Sequence, residues 1–161
     1  MAKVYLALGS NLHNPVQQVN DALLALSRLP LTERLATSDF YRTPPYGPQD
    51  QDHFLNAVVL LDTQLSPLEL LDQTQRIELE QGRVRKAERF GPRTLDIDIL
   101  LFGNQVIEHP RLQVPHYDMH QRAFMLLPLY QLAPQLQLPD GRKLHTLVNT
   151  VDCSSITPWF S

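Results

Sequence analysis

The sequence predicts an α+β protein, a mostly antiparallel sheet with helices packed against it. Apolar residues alternate along several segments of strand length, while two intervening segments repeat at helical spacing between start and stop signals. The elements also come in the order β, α, β, β, α, β, which suits a sheet flanked by helices.

Lys3 to Leu8 alternates around the β-favouring Val4 and Tyr5 and meets Gly9-Ser10-Asn11, a strand closing in a tight turn. Val16, Val19, Leu23, Leu26 and Leu29 then recur at helical spacing, with Asn14 the expected N-cap, Pro15 the first helical residue and Pro30 the stop. Leu35 to Arg42 reads as extended, with Thr37, Phe40 and Tyr41 as β-formers. Thr43 to Asp52 holds three of the thirteen prolines, so it is a long loop. Phe54 to Leu61 is a buried strand. Ser66-Pro67-Leu68-Glu69 has capping-box spacing and opens a helix through Leu68, Leu71, Ile77 and Leu79 to about Gln81, where Gly82 ends it. A second long loop covers Gly82 to Arg93. Leu95 to Phe102 is a strand, Gly103-Asn104 a hairpin turn, and Gln105 to Glu108 the returning strand. Phe124 to Leu132 is helical despite Pro128, and Pro139-Asp140-Gly141 is a turn. The whole is a ferredoxin-like βαββαβ core with an added hairpin and a C-terminal helical segment.

The chain has 161 residues, enough to remove roughly 70% of its unfolded surface from water as a single domain, 1–161. Fourteen Lys+Arg against seventeen Asp+Glu give a net charge of −3, so no bulk charge draws it to nucleic acid or an anionic membrane. Cys153 stands alone, which excludes an internal disulfide framework and a cysteine zinc cage. No signal-peptide pattern opens the sequence, and nowhere do about 18 apolar residues run together. The expectation is a cytoplasmic protein.

Side chains alternate along a strand, so in Leu95-Asp96-Ile97-Asp98-Ile99-Leu100-Leu101 the leucines and isoleucines at 95, 97, 99 and 101 line one face. Asp96 and Asp98 project from the other, roughly 7 Å apart by strand rise. Paired carboxylates repel unless something positive lies between them, and their hard oxygens suit magnesium. Taken alone, Asp-x-Asp reads equally as two solvated acids. Arg83, Arg85, Lys86, Arg89 and Arg93 crowd the approach to that strand, with Glu88 the lone acid, and such a cationic segment wants an anion. Beside a metal-binding pair it is what phosphoryl transfer requires. Gly9-Ser10-Asn11 lacks the remainder of a Walker A loop, and no Gly-x-Ser-x-Gly elbow occurs. His116 stands in a Pro-constrained loop. Phe54 shares a strand face with Asn56, and Phe124 opens the late helix; aromatic faces stack on flat heterocycles, and an Asn amide offers both donor and acceptor to a heterocycle edge. Two other functions fit an acidic pair or a basic loop on such a sheet: a nucleotidyl transferase or cyclase, which releases pyrophosphate, and an RNA-binding module, which needs aromatics rather than acids on the open face.

Five stretches together resemble the 6-hydroxymethyl-7,8-dihydropterin pyrophosphokinases: Ala7-Leu8-Gly9-Ser10-Asn11-Leu12, Phe40-Tyr41-Arg42-Thr43-Pro44-Pro45, Phe54-Leu55-Asn56-Ala57, Gly91-Pro92-Arg93-Thr94-Leu95-Asp96-Ile97-Asp98-Ile99 and Val114-Pro115-His116-Tyr117. The resemblance implies a monomeric, ferredoxin-like enzyme that moves pyrophosphate from ATP to the pterin hydroxymethyl group, leaving AMP. It implies that Asp96 and Asp98 hold two magnesium ions and that Arg83 and Arg93 clamp the phosphates. Gln75, Glu78, Arg85, Ile99, Arg111, His116, Tyr117 and Arg122 fall where the family lines its ATP site. Phe54 and Phe124 match the rings that sandwich the pterin, and Thr43, Pro45, Tyr46 and Asn56 match groups around it. The long loops would act as lids. Phe54 stands where a tyrosine is common, Phe90 replaces a tryptophan, and Thr150 to Ser161 matches nothing.

Overall fold

The computed structural model describes residues 1–11, 14–44, 53–82 and 95–159. Its strands are β1 (Ala2–Ser10), β2 (Thr32–Thr37), β3 (Tyr41–Thr43), β4 (Phe54–Thr63), β5 (Leu95–Phe102), β6 (Ile107–His109), β7 (Leu112–Val114) and β8 (Thr157–Pro158). The α-helices are α1 (Pro15–Ser27), α2 (Pro67–Ile77), α3 (Ala123–Leu132) and α4 (Leu144–Asn149). Six strands form one sheet in the order β5-β1-β4-β3-β8, with β2 pairing the far end of β4; all its pairings are antiparallel. The predicted ferredoxin-like core is therefore β1, α1, β2, β4, α2 and β5.

Each sheet face buries its own apolar set. Val4, Leu6, Leu8, Val59, Leu61, Ile97 and Ile99 pack against Val19, Leu23 and Leu26 of α1 and Leu70, Leu71 and Ile77 of α2. On the opposite face Ala7, Val58, Leu100 and Leu101 pack against Met125, Leu126 and Leu129 of α3 and Leu144 and Leu147 of α4. Helix α2 starts as its sequence demands: Ser66 Oγ accepts the Glu69 N–H at 3.2 Å, and the Glu69 carboxylate accepts the Ser66 N–H at 2.8 Å.

Several expectations are corrected. Asn14 adopts a left-handed conformation and makes no side-chain cap, so α1 begins on Pro15 alone. Strand β1 runs on through Gly9 and Ser10 instead of turning there. The extended stretch after α1 begins earlier and divides into β2 and β3. Helix α2 ends at Ile77 and widens into a π-turn over Glu78–Gly82, which leaves Leu79 57% exposed. Ile107–His109 pairs with Leu112–Val114 and not with β5, so the added hairpin is β6–β7.

Leu101 does not share a face with Leu95, Ile97 and Ile99. The β1–β5 register shifts so that Tyr5 faces Leu101 while the next residue, Leu6, faces Ile99. Leu100 is the extra residue of this β-bulge, and beyond it the alternation changes phase. Leu100 and Leu101 both join the α3 side, and Phe102 returns to the α1 side.

Candidate functional site

The predicted chemistry gathers on the α3 face of the sheet, at one end. Gly9 in β1 pairs with Asn56 on one side and Asp96 on the other, and Ala7 pairs with Asp98, so these positions share a face. Phe54, two residues before Asn56, lies on that face too and pairs with Thr43. With His116, Tyr117, Arg122 and Phe124 they line a cavity of about 420 Å³, joined by Pro44 and Met125.

Gly9 forms its floor. A Cβ there would stand 3.0 Å from Asn56 Oδ1, closer than ordinary contact. Asn56 is 5% exposed and donates from Nδ2 to Thr43 Oγ1, itself buried. That bond leaves Asn56 Oδ1 as an acceptor and the Thr43 hydroxyl proton as a donor, a pair matched to a heterocycle edge that carries one of each.

Burial is the main reason that the Asp98 carboxyl is pushed from its ordinary 3.8 up to about 6; the Asp96 charge adds to the rise and the Arg122 guanidinium opposes it. Arg122 donates from Nε to Asp118 Oδ2 at 2.7 Å, and its guanidinium lies 5.6 Å from the centroid of the Phe124 ring. His116 is tied to β5 by its N–H, which donates to Leu100 O at 3.0 Å, and its Nδ1 accepts the Asp118 N–H at 3.2 Å. Burial, helped by Arg122 and resisted by Asp118, pushes the His116 pKa down. A neutral ring whose Nε2–H is the donor follows.

A second cavity of about 370 Å³ is lined by Gln75, Glu78, Ile99 and Arg111, and again by Asp98, His116 and Tyr117. Arg111 Nη2 donates to Asp72 Oδ1 at 2.6 Å and to Gln75 Oε1 at 3.2 Å. Glu78 accepts the Ile97 N–H at 2.8 Å, which ties the π-turn to β5. Tyr117 is 64% exposed and stacks on His116 with ring centroids 4.9 Å apart. Asp98, His116 and Tyr117 thus border both cavities.

Asp96 and Asp98 present hard oxygens on one face, with a carboxyl held up by its neighbour's charge as well as by burial, and this donor set fits a divalent cation. Among the described residues no group of three or more His, Cys, Asp and Glu forms.

Arg83, Arg85 and Arg93, together with Pro45 and Tyr46, lie outside the described residues, as do Phe90 and most of both expected lids. From the sequence Gly9 reads only as a turn residue, and Asp118 and Asp72 carry no signal of their own. Gly9 gains its meaning from two pairing registers, and the two acids serve by fixing Arg122 and Arg111.

Residues 5–134 match the family model for 7,8-dihydro-6-hydroxymethylpterin-pyrophosphokinase. The chain is 59% identical over 146 residues to the 2-amino-4-hydroxy-6-hydroxymethyldihydropteridine pyrophosphokinase of Pseudomonas aeruginosa, covering 91% of this chain and 90% of that protein. It is 53% identical over 148 residues to the enzyme of the same name from Haemophilus influenzae, covering 92% of each. Among solved structures, the wild-type HPPK-DHPS of Plasmodium falciparum with pteroate superimposes with a TM-score of 0.72 over 92% of this chain, at 17% identity. This chain spans 42% of that longer protein, and the likeness is one of fold.

Proposed function

Because this chain belongs to the 7,8-dihydro-6-hydroxymethylpterin-pyrophosphokinase family, we propose that it performs that family's reaction at the junction of the two cavities. It is a pyrophosphokinase of folate biosynthesis: it transfers pyrophosphate from ATP to the hydroxymethyl group of 6-hydroxymethyl-7,8-dihydropterin, leaving AMP. One observation carries the assignment to this site. Asp98, His116 and Tyr117 border both a cavity lined by Phe54, Phe124, Asn56 and Thr43 and a second cavity lined by Gln75, Glu78 and Arg111.

In this reading Phe54 and Phe124 flank the pterin ring, which holds it flat by dispersion and stacking. Asn56 Oδ1 and the Thr43 hydroxyl read its amide edge, joined by Pro45 and Tyr46. ATP occupies the second cavity, where Gln75, Glu78, Ile99 and Arg111 bind the nucleotide together with Arg85. His116 offers Nε2–H to a phosphate oxygen, Tyr117 lies beside it, and Arg122 opposes charge on the phosphates. Arg83 and Arg93 neutralise the charge that develops during transfer.

Asp96 and Asp98 would hold magnesium, two ions in the full complex. Bound there, magnesium supplies Lewis-acid polarisation of the β-phosphate and a lowered pKa for the pterin hydroxyl. The chain's own part is to hold acceptor and donor in line and to exclude water, so no strong protein base is needed. The proposal takes the enzyme to act as a monomer. The described residues include no helix long and apolar enough to cross a membrane. The proposal places the enzyme in the cytoplasm, where ATP is available.

The direct test incubates the protein with ATP, magnesium and 6-hydroxymethyl-7,8-dihydropterin and identifies the products. AMP and the pterin diphosphate are expected; release of free pyrophosphate instead would identify a nucleotidyl transferase or cyclase. A further expectation concerns the cavity floor. Gly9→Ala introduces a Cβ 3.0 Å from Asn56 Oδ1, and Asn56 cannot retreat without losing Thr43. The pterin KM should rise about fivefold, with the ATP KM unchanged, in steady-state assays that vary each substrate.

A further inference from the structure

Strand β3 is three residues long, yet its last residue, Thr43, forms part of the pterin cavity wall and accepts the Asn56 amide. Strand β4 holds its inner edge. The outer edge would otherwise present unpaired backbone groups, and so short a strand has little intrinsic stability.

The segment that closes this edge comes from the far end of the chain. In β8, Thr157 pairs with Arg42 and Pro158 with Tyr41. Trp159 N–H then donates to Phe40 O at 2.9 Å. The Arg42 guanidinium lies 4.1 Å from the centroid of the Trp159 ring, and that ring packs against the core on the α1 side. Trp159 therefore grips β3 by backbone, by charge and by burial.

A further cavity, of about 540 Å³, is lined by Thr43 and Phe124 and by Thr150, Val151, Asp152, Ser155 and Ile156 near the end of the chain. Thr43 and Phe124 thus border both this cavity and the pterin cavity.

We propose that Trp159 is a positioning residue for the pterin subsite: by clamping β3 against β4 it holds Thr43, and through Thr43 the Asn56 amide, in the orientation that reads the pterin edge. This rests on the pyrophosphokinase reading above. The predicted signature is selective, because the ATP cavity contains no residue of β3 or β8.

The test measures kcat and both KM values for the parent, Trp159→Ala, Trp159→Phe and Arg42→Ala, with melting curves to establish folding. Trp159→Ala should raise the pterin KM about tenfold while kcat and the ATP KM stay within about twofold, because the ordering of Thr43 and Asn56 is then borne by binding. Trp159→Phe keeps a ring under Arg42 and should recover most of the loss. Arg42→Ala removes the guanidinium and should raise the pterin KM about threefold. Folded Trp159→Ala with an unchanged pterin KM would overturn the proposal, as would equal rises in both KM values, which would mean general loosening. Should Trp159→Ala fail to fold, Arg42→Ala decides by the same criterion. A parent protein that forms no AMP would refute the functional reading itself, whereas an active parent with unaltered variants refutes only the clamp.

Discussion

Asp98→Asn is expected to lose about a thousandfold in turnover and, in metal-free buffer at pH 7.5, to melt at a higher temperature than the parent protein. The first effect follows from removing a charged oxygen ligand at the point shared by both cavities, where charge develops during transfer. The second follows from the cost of keeping that oxygen charged. The folded protein holds the Asp98 pKa at about 6, above its ordinary 3.8, mainly through burial. Folded protein then binds a proton that unfolded chain has released, so stability falls as pH rises from about 4 to about 6 and stays reduced above that. An amide carries no such charge. The gain at pH 7.5 is on the order of 2 kcal/mol after allowance for solvent, or roughly 5 °C in a domain of this size. Calorimetric melts across pH check the sign: the advantage of Asn should disappear below about pH 4. A variant that is inactive and also less stable at every pH would contradict this account of Asp98.

Asn56→Ala should raise the pterin KM about a hundredfold with little change in kcat or in the ATP KM. Asn56 is 5% exposed and its amide donates to Thr43 Oγ1, so truncation removes an acceptor from the cavity and also takes away Thr43's partner. Sites built to hydrogen-bond a substrate lose far more on such a deletion than sites that merely pack it, because the buried group left behind is desolvated and unpaired. Equilibrium titration of the pterin gives a second measure, and an affinity within about threefold of the parent would show that the edge is read by other groups.

Much of this site is legible in the residues alone. Asp96 and Asp98 share a face because strand alternation is local, and Phe54 and Asn56 do so for the same reason. The capping box of α2 is equally local and forms as expected. What escapes depends on pairing between distant segments. Nothing in the apolar run of β5 announces the bulge at Leu100, since a bulge belongs to two strands at once. Gly9 looks like a turn residue until its partners on β4 and β5 are known. Gln105 to Glu108 reads as returning on β5, whereas Ile107–His109 pairs with Leu112–Val114, a choice that no local pattern decides. Thr157 and Pro158 form too short a strand to carry any periodic signal.

The bulge at Leu100 also divides the duties of a single strand. Ahead of it Asp96 and Asp98 face the cavity while Leu95, Ile97 and Ile99 pack on the α1 side; beyond it Leu101 packs on the α3 side and Phe102 on the α1 side. Loss of the Leu100 codon would therefore straighten the strand and still leave Leu101 and Phe102 on their present faces, because Ile99 and Leu101 already sit opposite consecutive residues of β1.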